Sequence, residues 1–193
     1  MARTVALSVT LALFAASCGV QSIPKADNDV EAKWAEVMNQ YKRRADLVPN
    51  LVNVVKGYAS HEKETLEAVI SARASATQMQ VNYGDLTPAK IEQLQKAQGS
   101  LSQALGRLMV VSERYPELKA NANFKDLQAQ LEGTENRITI ARRRYIESVR
   151  GFNDLVTVPP TSWTNAIFYH HGKKPQFTVD EAKKVDEAPE VKF

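Results

Sequence analysis

The chain has 193 residues, of which 44% are hydrophobic and 24% are charged, a balance typical of one folded domain rather than of a disordered chain. Its 25 basic and 22 acidic residues leave a net charge of only +3. This argues against a nucleic-acid partner, because phosphate-binding domains usually carry a clear basic excess. One cysteine and three histidines exclude an internal disulfide and a Cys/His-rich zinc site, so we expect no metal and no cofactor.

Residues 1–24 are predicted to be a signal peptide or membrane anchor rather than part of the fold. An uncharged run, residues 4–24, follows Arg3, and a short apolar stretch ends in small residues before Cys18. This layout resembles a bacterial lipoprotein signal and predicts Cys18 as the lipidated residue. Two alternatives remain: the run stays uncleaved as one transmembrane helix, or it is an ordinary signal that is removed together with Cys18. Arg3 favours a domain on the outer side of the membrane.

Residues 25–158 carry a helical hydrophobic period, with apolar side chains every three or four positions. The first segment is long, and we expect Pro49 to break or kink it near Leu47, so that it folds as two helices or projects toward the membrane. Thr87 and Pro88 have the residue types of an N-cap and a first helical position. They predict a second segment from Pro88 to about Arg114. A third extends from about residue 123 to 155.

These stripes predict an all-α fold, because long amphipathic helices joined by short connectors bury their apolar faces against antiparallel neighbours. The expected architecture is an antiparallel up-down bundle of three to four long helices with an irregular C-terminal tail. Residues 159–193 form that tail, which lacks a clear period. Its many apolar side chains predict that it packs onto the bundle in places.

Three blocks of the chain resemble one family. Residues 41–52 read YKRRADLVPNLV and are followed by VKGYA, HE and, further on, ARA. Residues 131–138 read LEGTENRI, and the chain ends in PEVKF. Together these blocks closely resemble the LemA family over about residues 27–193. The resemblance implies a bacterial helical bundle tethered by an N-terminal membrane segment, and it associates the chain with envelope maintenance and membrane-bound proteases. The resemblance also implies that many members keep a true transmembrane helix. Cys18, in a setting that resembles a lipoprotein signal, departs from that pattern.

The strongest polar feature is charge close to the apolar stripes. Arg44 and Glu62 are five helical turns apart and share a face if the helix is continuous. We predict interhelical ion pairs within a set of charged residues that also forms the candidate partner-binding cluster: Arg43, Arg44, Asp46, Glu62, Glu132, Glu135, Arg137 and Arg142. The favoured interpretation is that these pairs set the register between helices, and the alternative is that they form a docking site for a partner.

Catalytic and metal-binding patterns are incomplete. His61-Glu62 begins like a zinc-protease motif, but Thr65 stands where the second histidine ligand would lie. His170 and His171 are adjacent and lack an evident third ligand, so a solvated loop pair is the favoured interpretation. The basic run Arg142–Arg144 spreads over different helix faces and is interpreted as a solvated surface.

We therefore expect no enzymatic activity. The predicted function is that of a membrane-tethered helical-bundle protein of the bacterial envelope with a scaffold or partner-binding role. Its expected partners are the membrane, an unknown envelope protein and a second copy of the chain. The predicted location is the outer side of the inner membrane, or attachment to the outer membrane. The alternatives are a regulator or accessory factor of an envelope protease or other envelope enzyme, and a lipid-surface remodelling protein.

Overall fold

The computed structural model describes the backbone of residues 2–177 and the side chains of residues 20–177. Every regular element in this part of the chain is helical, so the prediction of an all-α fold is confirmed. The long helices are α1 (Ala2–Tyr58), α2 (Lys63–Gln78), α3 (Pro88–Ser112) and α5 (Ala122–Thr157). The short elements are a 3₁₀ turn (Tyr83–Asp85), α4 (Pro116–Ala120), α6 (Thr161–Thr164) and a π-helical turn (Asn165–Tyr169). Among the side chains so described, no helix combines the length and apolarity needed to cross a bilayer.

The break predicted near Leu47 is wrong, because α1 continues through Pro49 and first ends at residues 59–62. A proline inside a helix lacks an N–H and leaves the carbonyl four residues earlier without its helical partner. Here that carbonyl belongs to Ala45, and the Nε of Arg73 on α2 donates a hydrogen bond to it at 2.8 Å. The neighbouring helix therefore supplies the bond that Pro49 removes, and the helix remains continuous.

The same compensation occurs at the other proline of α1, Pro24. Its missing N–H would have bonded the carbonyl of Val20. The hydroxyl of Tyr169, from the turn that follows α6, donates to this carbonyl at 2.6 Å. A residue 149 positions away in the chain thus satisfies the backbone at the start of the bundle.

The helices pair in an antiparallel manner. Three contacts between α1 and α5 define their direction, since the residue numbers on one helix rise as those on the other fall: Glu36 with Arg144, Arg44 with Glu135, and Tyr58 with Asn121. α2 folds back along α1 after the connector at residues 59–62, and α3 folds back along α2. We call the end of the body next to residues 1–24 the leader end, and the end around the α1–α2 connector the far end.

The core consists of two apolar clusters. The leader-end cluster includes Trp34, Ile91, Tyr145 and Phe152. The far-end cluster includes Leu51, Leu101 and Phe124. Almost all predicted stripe residues of the three segments are buried or half-buried, and Tyr58, at 42% exposed, is an exception. Polar side chains separate the two clusters, and they form the candidate site described below.

Side-chain caps fix the starts of two helices. The Thr87 hydroxyl accepts a hydrogen bond from the backbone N–H of Lys90, and Pro88 is the first residue of α3, as predicted. At α5 the Asn121 side chain accepts from the backbone N–H of Phe124. These caps satisfy N–H groups that the first turn of a helix leaves without partners.

Candidate functional site

Arg44 is the centre of the polar layer, which we define as Arg44, Gln98, Ser102 and Glu135. Its guanidinium is 2% exposed and lies between α1, α3 and α5. The Nη1 atom donates to Glu135 Oε2 and to Ser102 Oγ, both at 2.7 Å. The Nη2 atom donates to the carbonyl oxygen of Gln98 at 3.1 Å and also to its side-chain oxygen. Gln98 in turn donates to the carbonyl of Ala76, so the network reaches α2 as well.

The two charges of this pair have different surroundings. Arg44 is buried, whereas the Glu135 side chain is 52% exposed and keeps contact with water. The guanidinium also lies 5.7 Å from the ring centre of Tyr41, whose pKa burial raises, so the phenol stays neutral beside the cation. Within the described residues, the Nε of Arg44 has no partner. The cation is thus held by internal acceptors and has almost no surface to offer a partner.

Glu62 lies apart from Arg44, because α1 ends before residue 62. Its carboxylate accepts from the guanidinium of Arg114 at 2.8 Å and from the hydroxyl of Tyr115 at 2.9 Å. This group ties the α1–α2 connector to the segment after α3. The hydrogen bond to Glu62 is also the main cause that raises the pKa of Tyr115.

The remaining predicted residues do not join the polar layer. Arg43 and Asp46 are exposed on α1 on either side of it. Glu132 accepts from Gln128, and Arg137 donates to Thr134, both within α5. Of the predicted set, and among the described residues, the structure therefore pairs only Arg44 with Glu135 across helices by an ion pair.

The basic run on α5 divides among three environments, as its helical spacing requires. Arg142 lies over the ring of Phe177 at 4.6 Å. Arg143 is exposed beside Glu147 on its own helix. Arg144 bonds Glu36 of α1 at 2.8 Å, an interhelical pair that the sequence interpretation did not include.

The two adjacent histidines also separate. His170 is exposed and has the left-handed φ of 56° at the end of the π-helical turn. His171 turns inward, where its ring contacts those of Tyr169 and Phe152. Its backbone exchanges two hydrogen bonds with the side chain of Asn165, at 2.9 and 3.0 Å. The two histidines therefore lie in different surroundings.

A second polar cluster, which the sequence interpretation missed, lies at the leader end. The Lys174 Nζ atom is 2.6 Å from Asp27 Oδ1, and the hydroxyl of Tyr83 donates to the same oxygen at 2.6 Å. The ammonium group also lies within 5 Å of the ring centres of Tyr83 and Phe152. These residues come from α1, the 3₁₀ turn, α5 and the tail, and no short motif could have connected them.

The electrostatics of this cluster favour the ion pair. Burial raises the pKa of Asp27, but hydrogen bonds from Lys174 and Tyr83 and the lysine's charge outweigh it, so the pKa lies below its usual value. Burial, followed by the hydrogen bond to Asp27, raises the pKa of Tyr83 far above its ordinary value. The carboxylate is therefore ionised and the phenol neutral at physiological pH, an arrangement that joins the tail to the body.

An aromatic contact closes the tail onto the helices. Phe177 is buried, with its ring centre 5.9 Å from that of Trp34 and 5.4 Å from that of Tyr145. The Tyr145 hydroxyl donates to the carbonyl of Pro175 at 2.8 Å, and Asn153 exchanges two hydrogen bonds with the backbone of Lys174. The abundance of apolar residues in the tail was the sequence signal for this contact.

Neither cluster has the composition of a catalytic or metal centre. Among the described residues, no group of three or more His, Cys, Asp and Glu side chains lies close enough to hold a metal ion. A groove of about 310 Å³ beside the polar layer is lined by Tyr41, Asp46, Met79 and Gln98, among others. Asp46 is the one carboxylate among the described residues of its wall, so the groove lacks a carboxylate pair for acid–base chemistry.

Comparisons with known proteins connect the chain to one family. A sequence model of the LemA family matches residues 33–193. The chain is 26% identical over 158 residues to magnetosome protein MamQ of Magnetospirillum gryphiswaldense, which covers 72% of this chain and 57% of that protein. It is 25% identical over 168 residues to magnetosome protein MamQ 2 of Paramagnetospirillum magneticum, with coverage of 77% and 60%. It is 23% identical over 140 residues to protein LemA of Metamycoplasma hominis, with coverage of 72% and 59%. The chain thus spans less than two thirds of the length of these relatives.

Proposed function

The chain belongs to the LemA family, and from this membership we propose that it is a membrane-tethered, non-enzymatic protein of the bacterial envelope that acts as a scaffold or partner-binding module. Its body is an antiparallel up-down bundle of four long helices, α1, α2, α3 and α5. A narrow bundle of this kind rarely encloses the concave pocket that an enzyme needs, but it offers long faces to other proteins.

One observation carries this proposal: α1 is a single helix from Ala2 to Tyr58. At 1.5 Å per residue, residues 18–58, which remain after cleavage before Cys18, span roughly 60 Å to the far end of the body. The far half of the helix lies against α2 and α5. Because helix rather than a flexible linker leads from Cys18 into the body, an anchor on Cys18 holds the leader end of the body close to the membrane. That geometry suits a protein that positions a partner.

We propose that the tether is a lipid on Cys18, whose side chain lies outside the described residues. Metabolic labelling with a fatty-acid analogue tests this directly, with the full chain and its Cys18→Ser variant expressed side by side. We expect label on the wild type and none on the variant. Persistent label on Cys18→Ser would contradict lipidation at this residue. An unlabelled wild type that still sediments with membranes would instead support the uncleaved transmembrane helix.

We propose that the body faces the outer side of the membrane. Protease added to intact cells and to cells with a permeabilised outer membrane locates it. Digestion of the body before the inner membrane is broken is the expected result. Protection of the body until the inner membrane is lysed would contradict the proposed orientation.

The contact role predicts a discrete neighbour, an envelope protein or a second copy of the chain. Photoreactive amino acids placed at Ile70 and Val110, two exposed apolar positions away from the leader end, would capture it in intact cells. The matched control places the same probe at Lys96, an exposed polar position on α3. We expect defined adducts at the apolar positions that disappear when the leader is replaced by a cleavable signal lacking Cys18. A scan of exposed positions without any adduct, or turnover of an envelope substrate by the purified chain, would contradict the proposal.

A second candidate function is that of a lipid-surface remodelling protein. It is favoured by the exposed apolar side chains around α6, at the leader end of the body.

A further inference from the structure

Four large apolar side chains around α6 face outward. Val158, Trp163, Ile167 and Phe168 are 54–67% exposed, and they lie within eleven consecutive residues. We call them the leader-end patch. They are half of the large hydrophobic residues that are exposed in the described part of the chain. Such concentration is unusual for a soluble surface and marks an interaction site.

The segment that carries the patch is attached to the start of the bundle. Tyr169, directly after Phe168, bonds the carbonyl of Val20, and α6 packs against both α1 and α5. Val20 is itself partly exposed and belongs to the uncharged run of residues 4–24. The segment that carries the patch thus lies at the leader end of the body.

The patch is held outward by specific contacts. The side chain of Asn165 is buried and exchanges two hydrogen bonds with the backbone of His171, which closes the turn around residues 166–170. The ring of His171 packs on Phe152 of α5 from the inner side. Because the inner face of the turn is committed to these contacts, Ile167 and Phe168 project from its outer face.

We propose that the leader-end patch inserts into the interfacial layer of the bilayer that holds the tether, as a second contact with phospholipid. Tryptophan favours this layer because its ring is apolar and its N–H can reach polar headgroups. Lys25, five residues after Val20, and Lys173, five residues after Phe168, are exposed and match anionic headgroups in charge. The proposal rests on the tether of the proposed function, which brings the patch to the membrane. Two contacts fix the tilt and rotation of the body, whereas one leaves the rotation free.

Trp163 is a native probe for this contact, since the only other tryptophan, Trp34, is 3% exposed in the core. The full chain is reconstituted in phosphatidylcholine–phosphatidylglycerol vesicles with and without bromine-labelled phosphatidylcholine. The Trp163→Phe variant reports Trp34 alone and is subtracted. We expect brominated lipid to quench the Trp163 emission. We also expect this emission to be shifted to shorter wavelength and to be protected from acrylamide, a quencher dissolved in the water phase. Trp163 emission that acrylamide quenches and brominated lipid does not would overturn the proposal.

A pair of variants separates this insertion from general apolarity. Ile167→Ser with Phe168→Ser should make Trp163 accessible to acrylamide. Ile70→Ser with Val110→Ser, which removes exposed apolar groups away from the leader end, should leave Trp163 protected. Equal accessibility in both pairs would overturn the proposal.

Flotation of each sample with its vesicles reports the tether separately. Loss of flotation in the unaltered chain overturns the tether and the insertion together. Flotation with an accessible Trp163 overturns the insertion alone. A third outcome is that Trp163 becomes more protected as protein density in the vesicles rises, while brominated lipid does not quench it. This would identify a second copy of the chain as the occupant of the patch and would also overturn the proposed insertion.

Discussion

Replacing Arg44 by alanine is the sharpest test of the polar layer. The guanidinium is 2% exposed and makes four hydrogen bonds that reach α3 and α5. Removing it leaves the buried side chain of Gln98 without its main donor and opens a cavity between the two apolar clusters. Glu135 is half-exposed, so its carboxylate regains water rather than remaining as a stranded charge.

The magnitude follows from these consequences. Truncating a large buried side chain to alanine costs about 2–5 kcal/mol, part of it from the residual cavity. A buried polar group left without its partner adds about 1–3 kcal/mol. Loss of the favourable pair is partly offset by rehydration of Glu135, which places Arg44→Ala near the lower end of the sum. We expect the free energy of unfolding to fall by about 4 kcal/mol, or about 8–16 °C in Tm for a chain of this size.

Urea unfolding of the full chain in a mild detergent, followed by far-ultraviolet circular dichroism, measures this change. The slope of the free energy against urea should stay constant, so that the midpoint shift reports stability alone. The matched control is Arg43→Ala, an exposed neighbour expected to change stability by less than about 0.5 kcal/mol. Equal midpoints for the two variants would refute the structural role of Arg44. Loss of partner crosslinking in a fully stable Arg44→Ala protein would favour the docking interpretation instead.

Two further predictions concern backbone satisfaction and pH. Arg73→Met should lower the free energy of unfolding by about 1–3 kcal/mol, because it leaves the carbonyl of Ala45 unpaired. In a Pro49→Ala background, the restored backbone N–H at position 49 donates a hydrogen bond to that carbonyl. The stability cost of Arg73→Met should therefore drop by about 1 kcal/mol or more in a double-mutant cycle. Equal costs in both backgrounds would contradict the inference that Arg73 replaces the hydrogen bond lost at Pro49. Burial raises the pKa of Asp27, but the hydrogen bonds from Lys174 and Tyr83 and the charge of Lys174 lower it by more, so the net shift is downward. The folded protein therefore binds fewer protons at this site than the unfolded chain. The stability from Asp27 is therefore present above the ordinary carboxyl pKa and is lost as the pH falls through the folded value. Unfolding measured across the acid range should show wild type and Asp27→Asn converging at low pH; a constant gap between wild type and Asp27→Asn would contradict the assignment.

The sequence by itself determined the features that depend on neighbouring residues. The spacing of three and four residues predicted helices and most of the buried positions on α1, α3 and α5, because a helix places such residues on one face. Thr87 and Pro88 predicted the start of α3, since capping needs only the first turn. The charged set near the stripes contained both Arg44 and Glu135, which do meet. The sequence could not show which two of the eight residues in this set meet, because pairing depends on the register between separate helices.

Only the tertiary structure decided the features that depend on residues distant in the chain. Pro49 leaves α1 continuous because Arg73, from another helix, bonds the carbonyl that the proline frees. Lys174 bonds Asp27 because folding brings the tail back to the leader end of the body, 147 positions away along the chain. Trp163 is exposed whereas Phe177 is buried, although both are aromatic residues in the same aperiodic stretch. Local preferences act through adjacent backbone atoms and are readable from sequence. The satisfaction of a particular carbonyl, charge or ring depends on which groups three-dimensional packing brings within a few ångströms.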